Sequence, residues 1–95
     1  MAKEIEELHA HIPKWEVASW HELKRRFAFK DFKEALAFVN KVGVLAESEG
    51  HHPDIQFGWG YVGITTFTHA VDGLSENDFI LAAKIETFFP LENRA

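Results

Sequence analysis

The 95-residue sequence contains no cysteine. Disulfide bridges, zinc sites built on cysteine and thiol nucleophiles are therefore excluded, and the absence is in keeping with a reducing cytoplasm. Basic residues are also scarce, with 10 Lys and Arg against 15 Asp and Glu and a formal net charge of −5. Because nucleic-acid binding depends on neutralising phosphates, we expect no direct nucleic-acid partner.

Long apolar runs are missing as well. The longest stretch without a formally charged residue, 55–71, is too short and too polar to span a bilayer. The first seven residues carry charges where a signal peptide would be apolar. These features predict a cytoplasmic protein without a membrane partner.

The composition is nevertheless typical of a protein with a packed core. Apolar residues make up 46% of the chain and aromatic residues 14%, including nine Phe and three Trp. The sequence shows no repeat, linker or low-complexity stretch. We therefore expect a single domain over residues 1–95.

Periodicity predicts three helices and four strands. Apolar residues at helical spacing predict helices over 3–11, 31–49 and 75–88. Alternation predicts two β-hairpins, which turn near Trp20 and near Gly60. The predicted strands cover residues 15–18, 23–30, 55–59 and 62–68. The expected fold is α+β, a four-stranded antiparallel sheet with three helices packed on one face.

Capping residues support the helix boundaries. Asp31 with Glu34, and Ser75 with Asp78, have the spacing of capping boxes at helix N-termini. Gly50 suits the left-handed position that follows a helix. In the fourth strand, Val62, Ile64, Thr66 and Thr68 are expected on one face.

The helix predicted over residues 75–88 is apolar on nearly every side. Its apolar side chains are Phe79, Ile80, Leu81, Ala82, Ala83, Ile85, Phe88 and Phe89. A chain of this size cannot easily cover such a helix, so we expect other copies of the chain to cover it, with Leu81 on the outer stripe. A dimer of dimers would join four such helices, which predicts a homotetramer.

Three histidines and two carboxylates are candidates for chemistry: His51, His52, His69, Glu47 and Asp78. Strands joined by a tight turn are antiparallel, so the start of the third strand lies beside the end of the fourth. This topology brings the three histidines to one edge of the sheet. Imidazole changes charge near neutral pH, so such a group can move protons.

Each candidate also has a purely structural interpretation. Taken alone, the His51-His52 pair before a proline is best explained as a solvated turn. His69 could be a hydrogen-bonded residue at a strand end, Asp78 a helix cap and Glu47 an ordinary exposed side chain.

A zinc site is a further alternative, since three histidines with Asp78 or Glu47 would suffice by count. Neighbouring residues usually point in different directions, and no helical metal-binding spacing is present, so this alternative is less favoured. His9, His11 and His21 are expected at the surface without a role.

Four segments resemble the pterin-4a-carbinolamine dehydratases. They are FAFKDFKEA at 27–35, HHPD at 51–54, VGITTFTH at 62–69 and GLSEND at 73–78. The resemblance extends from residue 15 to about residue 86, with spacings that match without an obvious gap.

The resemblance implies a dehydratase that needs no metal or organic cofactor. Its substrate would be a pterin of the 4a-hydroxytetrahydrobiopterin type. The product would be quinonoid dihydropterin, which recycles the pterin cofactor of aromatic amino-acid hydroxylases. The family's active-site histidines fall on His51, His52 and His69, with Glu47 and Asp78 as supporting acidic residues.

We expect His51 and His69 to form the acid–base pair and His52 to position the ring. Trp15 could flank the flat pterin, although aromatic residues more often pack in a core. The position after His69 is acidic in some relatives and is Ala70 here.

A role in protein interaction is the alternative from a different class. Animal members of this family also serve as dimerisation cofactors of a homeodomain transcription factor, through the helix that otherwise forms the tetramer. The apolar C-terminal helix fits either role. The intact set of three histidines favours the enzyme. An enzyme of the same chemistry that acts on a different pterin is a third alternative.

Overall fold

The computed structural model describes residues 2–89 of the chain. Seven main elements follow one another: α1 (Ala2–His9), β1 (Glu16–Ala18), β2 (Glu22–Ala28), α2 (Phe32–Glu49), β3 (Asp54–Gly58), β4 (Tyr61–Thr66) and α3 (Glu76–Glu86). A short 3₁₀ turn, His69–Val71, lies between β4 and α3. The strands form one antiparallel sheet in the order β1-β2-β4-β3, which confirms the predicted α+β fold. Among residues 2–89, no helix is long and apolar enough to cross a membrane.

The boundaries of α2 follow from its caps. The Asp31 carboxylate accepts a hydrogen bond from the Glu34 backbone N–H at 2.9 Å. The Glu34 carboxylate in turn accepts from the Lys30 N–H at 3.3 Å. At the other end Gly50 adopts φ 65°, a left-handed conformation that costs glycine little. The chain therefore leaves the helix directly before His51, as predicted.

Two tight turns set the register of the sheet. The first hairpin turns at Ser19 and Trp20, both of which have positive φ, and the His21 backbone N–H closes the turn on the Ala18 carbonyl at 3.0 Å. The second turns between Gly58 and Tyr61, which are paired across it. β4 ends at Thr66, two residues earlier than predicted. Thr68, which was predicted to continue the strand, pairs instead with Gly73, in the segment that leads into α3.

The core lies between the helices and one face of the sheet. Alternate residues of β2 and β4 point into it and are buried: Leu23, Phe27, Val62, Ile64 and Thr66. The Phe27 ring lies 4.7 Å from the Phe38 ring of α2 and 5.0 Å from the Phe89 ring. Trp15 is also buried, and its indole N–H donates to Glu86 at 3.0 Å. Trp15 therefore packs in the core.

The apolar stripe of α2 is narrower than the sequence suggests. Ala35, Phe38 and Val42 are buried, whereas Phe32 and Leu36 are exposed. The sheet and α3 contact α2 along only part of its circumference, so the flank that carries Phe32 and Leu36 remains open.

The expectation that one chain cannot cover α3 is wrong. Its residues Phe79, Leu81, Ala82 and Ile85 are buried within the single chain. Contacts of α3 with α1, α2 and β2 provide this cover from several sides. Leu81 is 1% exposed and does not lie on an outer stripe. The predicted helix stop at Pro90 lies outside the described residues, and the tetramer stays a prediction.

Substitution of Leu81 by Glu should therefore unfold the chain rather than split an assembly. The change removes a buried side chain and places a carboxylate in the core, so the free energy of unfolding should fall by at least about 4 kcal/mol in urea denaturation. Ile80→Glu is the matched control, since Ile80 is 44% exposed, and should stay within about 1 kcal/mol of the parent. Equal stability of the two variants would contradict the placement of α3.

Candidate active site

The carboxylate of Asp78 is the centre of a hydrogen-bond network at the start of α3. Its side chain is 0% exposed. Oδ1 accepts from the Thr66 hydroxyl at 2.7 Å and lies 2.6 Å from Nε2 of His51. Oδ2 accepts from the Thr68 hydroxyl at 2.8 Å and from the Ser75 backbone N–H at 3.0 Å. Four partners from four different positions in the chain therefore hold one buried carboxylate.

A small loop brings β4 and α3 together around this carboxylate. The Thr68 N–H donates to the Gly73 carbonyl at 2.7 Å, and the Gly73 N–H donates to the Thr68 carbonyl at 3.3 Å. This bridge closes residues 68–73 into a loop, so that Ser75 starts α3 beside the end of β4. Asp78 thus serves as a helix cap, as the capping-box spacing predicts, and also binds His51.

His51 reaches Asp78 because Gly50 reverses the chain after α2. The His51 backbone N–H still donates to the Ala46 carbonyl at 3.2 Å, which fixes the backbone at this point. The His51 side chain is 15% exposed, so the ring is held inside but keeps one open edge. An imidazole paired with a buried carboxylate has a defined orientation, which a proton-transfer group needs.

His52 has a different partner. Its Nε2 lies 2.5 Å from the Glu47 carboxylate, one turn back along α2. The side chains of His52 and Glu47 are 62% and 79% exposed, so the pair is solvated and contributes little to stability. The adjacent histidines therefore point towards different carboxylates, as expected for sequence neighbours.

His69 is exposed, as His52 is. It begins the 3₁₀ turn, and its ring contacts that of Phe67 in a tilted arrangement, with 4.5 Å between the ring centroids. Within residues 2–89 its ring has no hydrogen-bonding partner. The network reaches its neighbour Thr68, so His69 and the His51–Asp78 pair lie at the same end of β4.

The remaining histidines lie outside this network. His11 and His21 are exposed. His9, expected at the surface, is half-buried, and its Nε2 contacts the Trp15 carbonyl. In the part of the chain that the structure describes, no three His, Asp or Glu side chains are arranged to hold a metal ion.

Sequence reasoning did not assign a role to Thr66 or Thr68. The sequence feature that could have indicated a role is the hydroxyl of Thr66, which lies on the same face of β4 as Val62 and Ile64. Both of these residues are buried. Periodicity treats such a threonine as an ordinary strand residue, and its partner lies twelve residues further along.

Removal of the Asp78 carboxylate should destabilise the chain. Asp78→Ala leaves the buried Thr66 hydroxyl and the Ser75 N–H without an acceptor, so the free energy of unfolding should fall by about 3 kcal/mol in urea denaturation. Glu47→Ala is the matched control, because Glu47 also binds a histidine but is exposed, and it should change stability by less than about 1 kcal/mol. Equal losses would contradict the burial of the network.

The sequence matches the family model described as pterin 4 alpha carbinolamine dehydratase over residues 1–88. A protein of Rubrobacter xylanophilus is 56% identical over 84 residues, which cover 88% of this chain and 78% of the relative. One of Alkaliphilus metalliredigens is 55% identical over 82 residues, 86% of this chain and 71% of the relative. Both carry the name "Putative pterin-4-alpha-carbinolamine dehydratase".

Two solved structures share the fold. A protein described as a transcriptional coactivator/pterin dehydratase from Brucella melitensis has a TM-score of 0.88 at 28% identity, over 95% of this chain and 97% of that one. A pterin dehydratase-like protein described as a RuBisCO assembly factor in the alpha-carboxysome has a TM-score of 0.67 at 30% identity, over 81% and 90%. On the family model and the relatives at more than 50% identity, this chain belongs to the pterin 4 alpha carbinolamine dehydratase family.

Proposed function

We propose that this protein dehydrates a 4a-hydroxytetrahydropterin to quinonoid dihydropterin and so recycles the pterin cofactor of aromatic amino-acid hydroxylases. The observation that carries the proposal is the 2.6 Å pair of His51 and the buried Asp78, beside two exposed histidines, in a member of this family. The pair supplies an oriented imidazole with one open edge at the surface.

The reaction needs only proton transfers. An acid protonates the C4a hydroxyl, the C4a–O bond breaks, and the oxygen leaves as water. A base removes the N5 proton, and the electron pair of that N–H bond forms the C4a=N5 double bond. Atoms and electrons balance without an oxidant, a reductant or a metal ion, so one acid and one base of near-neutral strength suffice.

The three histidines have different surroundings, which suit different roles. His51 is held by Asp78 and is the oriented member of the acid–base pair. His69 is exposed and without a hydrogen-bonding partner in residues 2–89, so its ring is free to exchange a proton with substrate and solvent as the second member. His52 and Glu47 form a solvated polar pair that positions the pterin ring through hydrogen bonds.

A role in protein interaction is the second candidate. It is favoured by the descriptions of the two solved neighbours as a coactivator and as an assembly factor. In this chain an open apolar surface lies on α2, at Phe32 and Leu36, whereas most apolar side chains of α3 are buried. The Phe32 ring lies 5.4 Å from the Phe57 ring, so this surface extends to the edge strand β3. We assign the proposed homotetramer contacts to this surface.

Single replacements of the histidines test the enzymatic role. His51→Ala and His69→Ala should each lower kcat by a factor of at least about 10², the low end for a positioned acid or base. His52→Ala should mainly raise KM. The measurement is the decay of 4a-hydroxytetrahydropterin absorbance in stopped flow, with His11→Ala as the control that keeps full activity. Full activity of either His51→Ala or His69→Ala would refute the assignment.

Sedimentation tests the assembly. The parent protein should sediment as a species larger than a monomer at micromolar concentration. Leu36→Glu should shift it to smaller species, since the new charge lies within the apolar surface that contacts another copy. Val44→Glu is the matched control on the same helix, where Val44 is exposed, and should sediment like the parent. A monomeric parent would show that the α2 surface does not join copies of this chain.

A further inference from the structure

Thr66 is a polar residue in an apolar row. It follows Val62 and Ile64 on the core-facing side of β4, and all three residues are buried. Among residues 5–89, Thr66 and Asp78 are the only polar or charged residues that are buried. Valine has nearly the same shape and would fill the row without a hydroxyl to satisfy. The hydroxyl donates to Oδ1 of Asp78 at 2.7 Å, which is what distinguishes threonine here.

In the hydrogen bonds of Asp78 with Thr66, Thr68 and Ser75, the carboxylate is always the acceptor. The Thr66 and Thr68 hydroxyls and the Ser75 backbone N–H all donate to the carboxylate. Because the single Thr68 proton is used for Asp78, the 2.7 Å contact between Thr68 and the Ser75 hydroxyl must use the serine proton. Three donors therefore converge on the two oxygens of one carboxylate, which acts as their common acceptor.

The role of the Asp78 carboxylate as an acceptor fixes the proton in its bond to His51. An ionised carboxylate only accepts, so the proton between Oδ1 and the ring lies on Nε2 of His51. The ring nitrogen left for other partners is Nδ1, for which the described residues provide no hydrogen bond. In the neutral ring Nδ1 accepts a proton, and in the charged ring it donates one, so the same atom serves as base or as acid.

We propose that Thr66 is a positioning residue, which through Oδ1 of Asp78 keeps the His51 proton on Nε2 and presents Nδ1 as the reacting nitrogen. Thr66 and His51 share the same carboxylate oxygen, so loss of the hydroxyl weakens the acceptor that His51 uses. The catalytic part rests on the proposed function, whereas the position of the proton does not.

The position of the proton is measured on the unmodified protein. In histidine labelled with ¹⁵N, two-bond proton–nitrogen correlations distinguish the tautomers of the neutral ring at about pH 8.5. His51 should show its proton on Nε2. A proton on Nδ1 would overturn the proposal without the use of any variant, and this result is independent of enzymatic activity.

Thr66→Val then tests the contribution of the hydroxyl. We expect a part of His51 to move to the other tautomer and kcat to fall about tenfold with little change in KM, since a hydrogen bond to a charged group is worth about a decade in rate. Thr66→Ser, which restores a hydroxyl, should recover both. Thr65→Val is the matched control on the opposite face of β4 and should behave like the parent.

The outcomes separate the two claims. Thr66→Val with an unchanged tautomer and unchanged kcat would overturn the positioning role. A tautomer shift in a protein that is inactive even in its parent form would support the positioning role and refute the proposed function.

Discussion

The carboxylate side chain of Asp78 lies fully inside the chain, and the arrangement around it depends on providing hydrogen bonds to both of its oxygens. A buried charge without partners costs several kcal/mol, so the carboxylate is tolerated only when its donors are in place. Those donors come from the end of β4, from the loop that follows it and from the first turn of α3. His51 adds a partner from the end of α2. The segments that form the site must therefore dock together, and folding assembles the proposed chemistry.

Backbone features at two places make this docking possible. Gly50 turns the chain sharply out of α2, and the bridge between Thr68 and Gly73 returns it from β4 to α3. The result is one imidazole that is held rigidly and two that remain in contact with solvent. This division suits the proposed reaction, in which His51 would orient the substrate and its exposed neighbours would leave the site open to it.

Local features of the fold were predictable from the sequence, and long-range ones were not. The bounds of α2 depend on Asp31 and Gly50, and the strands β2 and β4 depend on the alternation of their own residues. These features act within a few residues, so the sequence alone predicts α2 and the hairpins. The burial of Leu81 depends on α1, α2 and β2 packing around α3 from distant parts of the chain. Periodicity shows that α3 is apolar, but it does not show what covers it.

The grouping of the candidate residues at one end of the sheet was predictable from the sequence, and their contacts were less so. Antiparallel pairing of β3 and β4 places His51 and His69 at one end of the sheet, as the topology requires. Which carboxylate serves which histidine depends on side-chain direction, since His51 reaches Asp78 and His52 reaches Glu47. Thr66 went unassigned because threonine is a common strand residue and its hydroxyl gains significance only beside a buried acceptor.

A crystal structure with a bound, unreactive reduced pterin such as 7,8-dihydrobiopterin tests the central claim most directly. The account predicts that the pterin lies at the end of β4, with Nδ1 of His51 within about 3.2 Å of N5 or of a group at C4a. Nε2 should remain on Asp78 in that complex. A pterin bound elsewhere on the chain, or one that approaches with the His51–Asp78 contact broken, would contradict it.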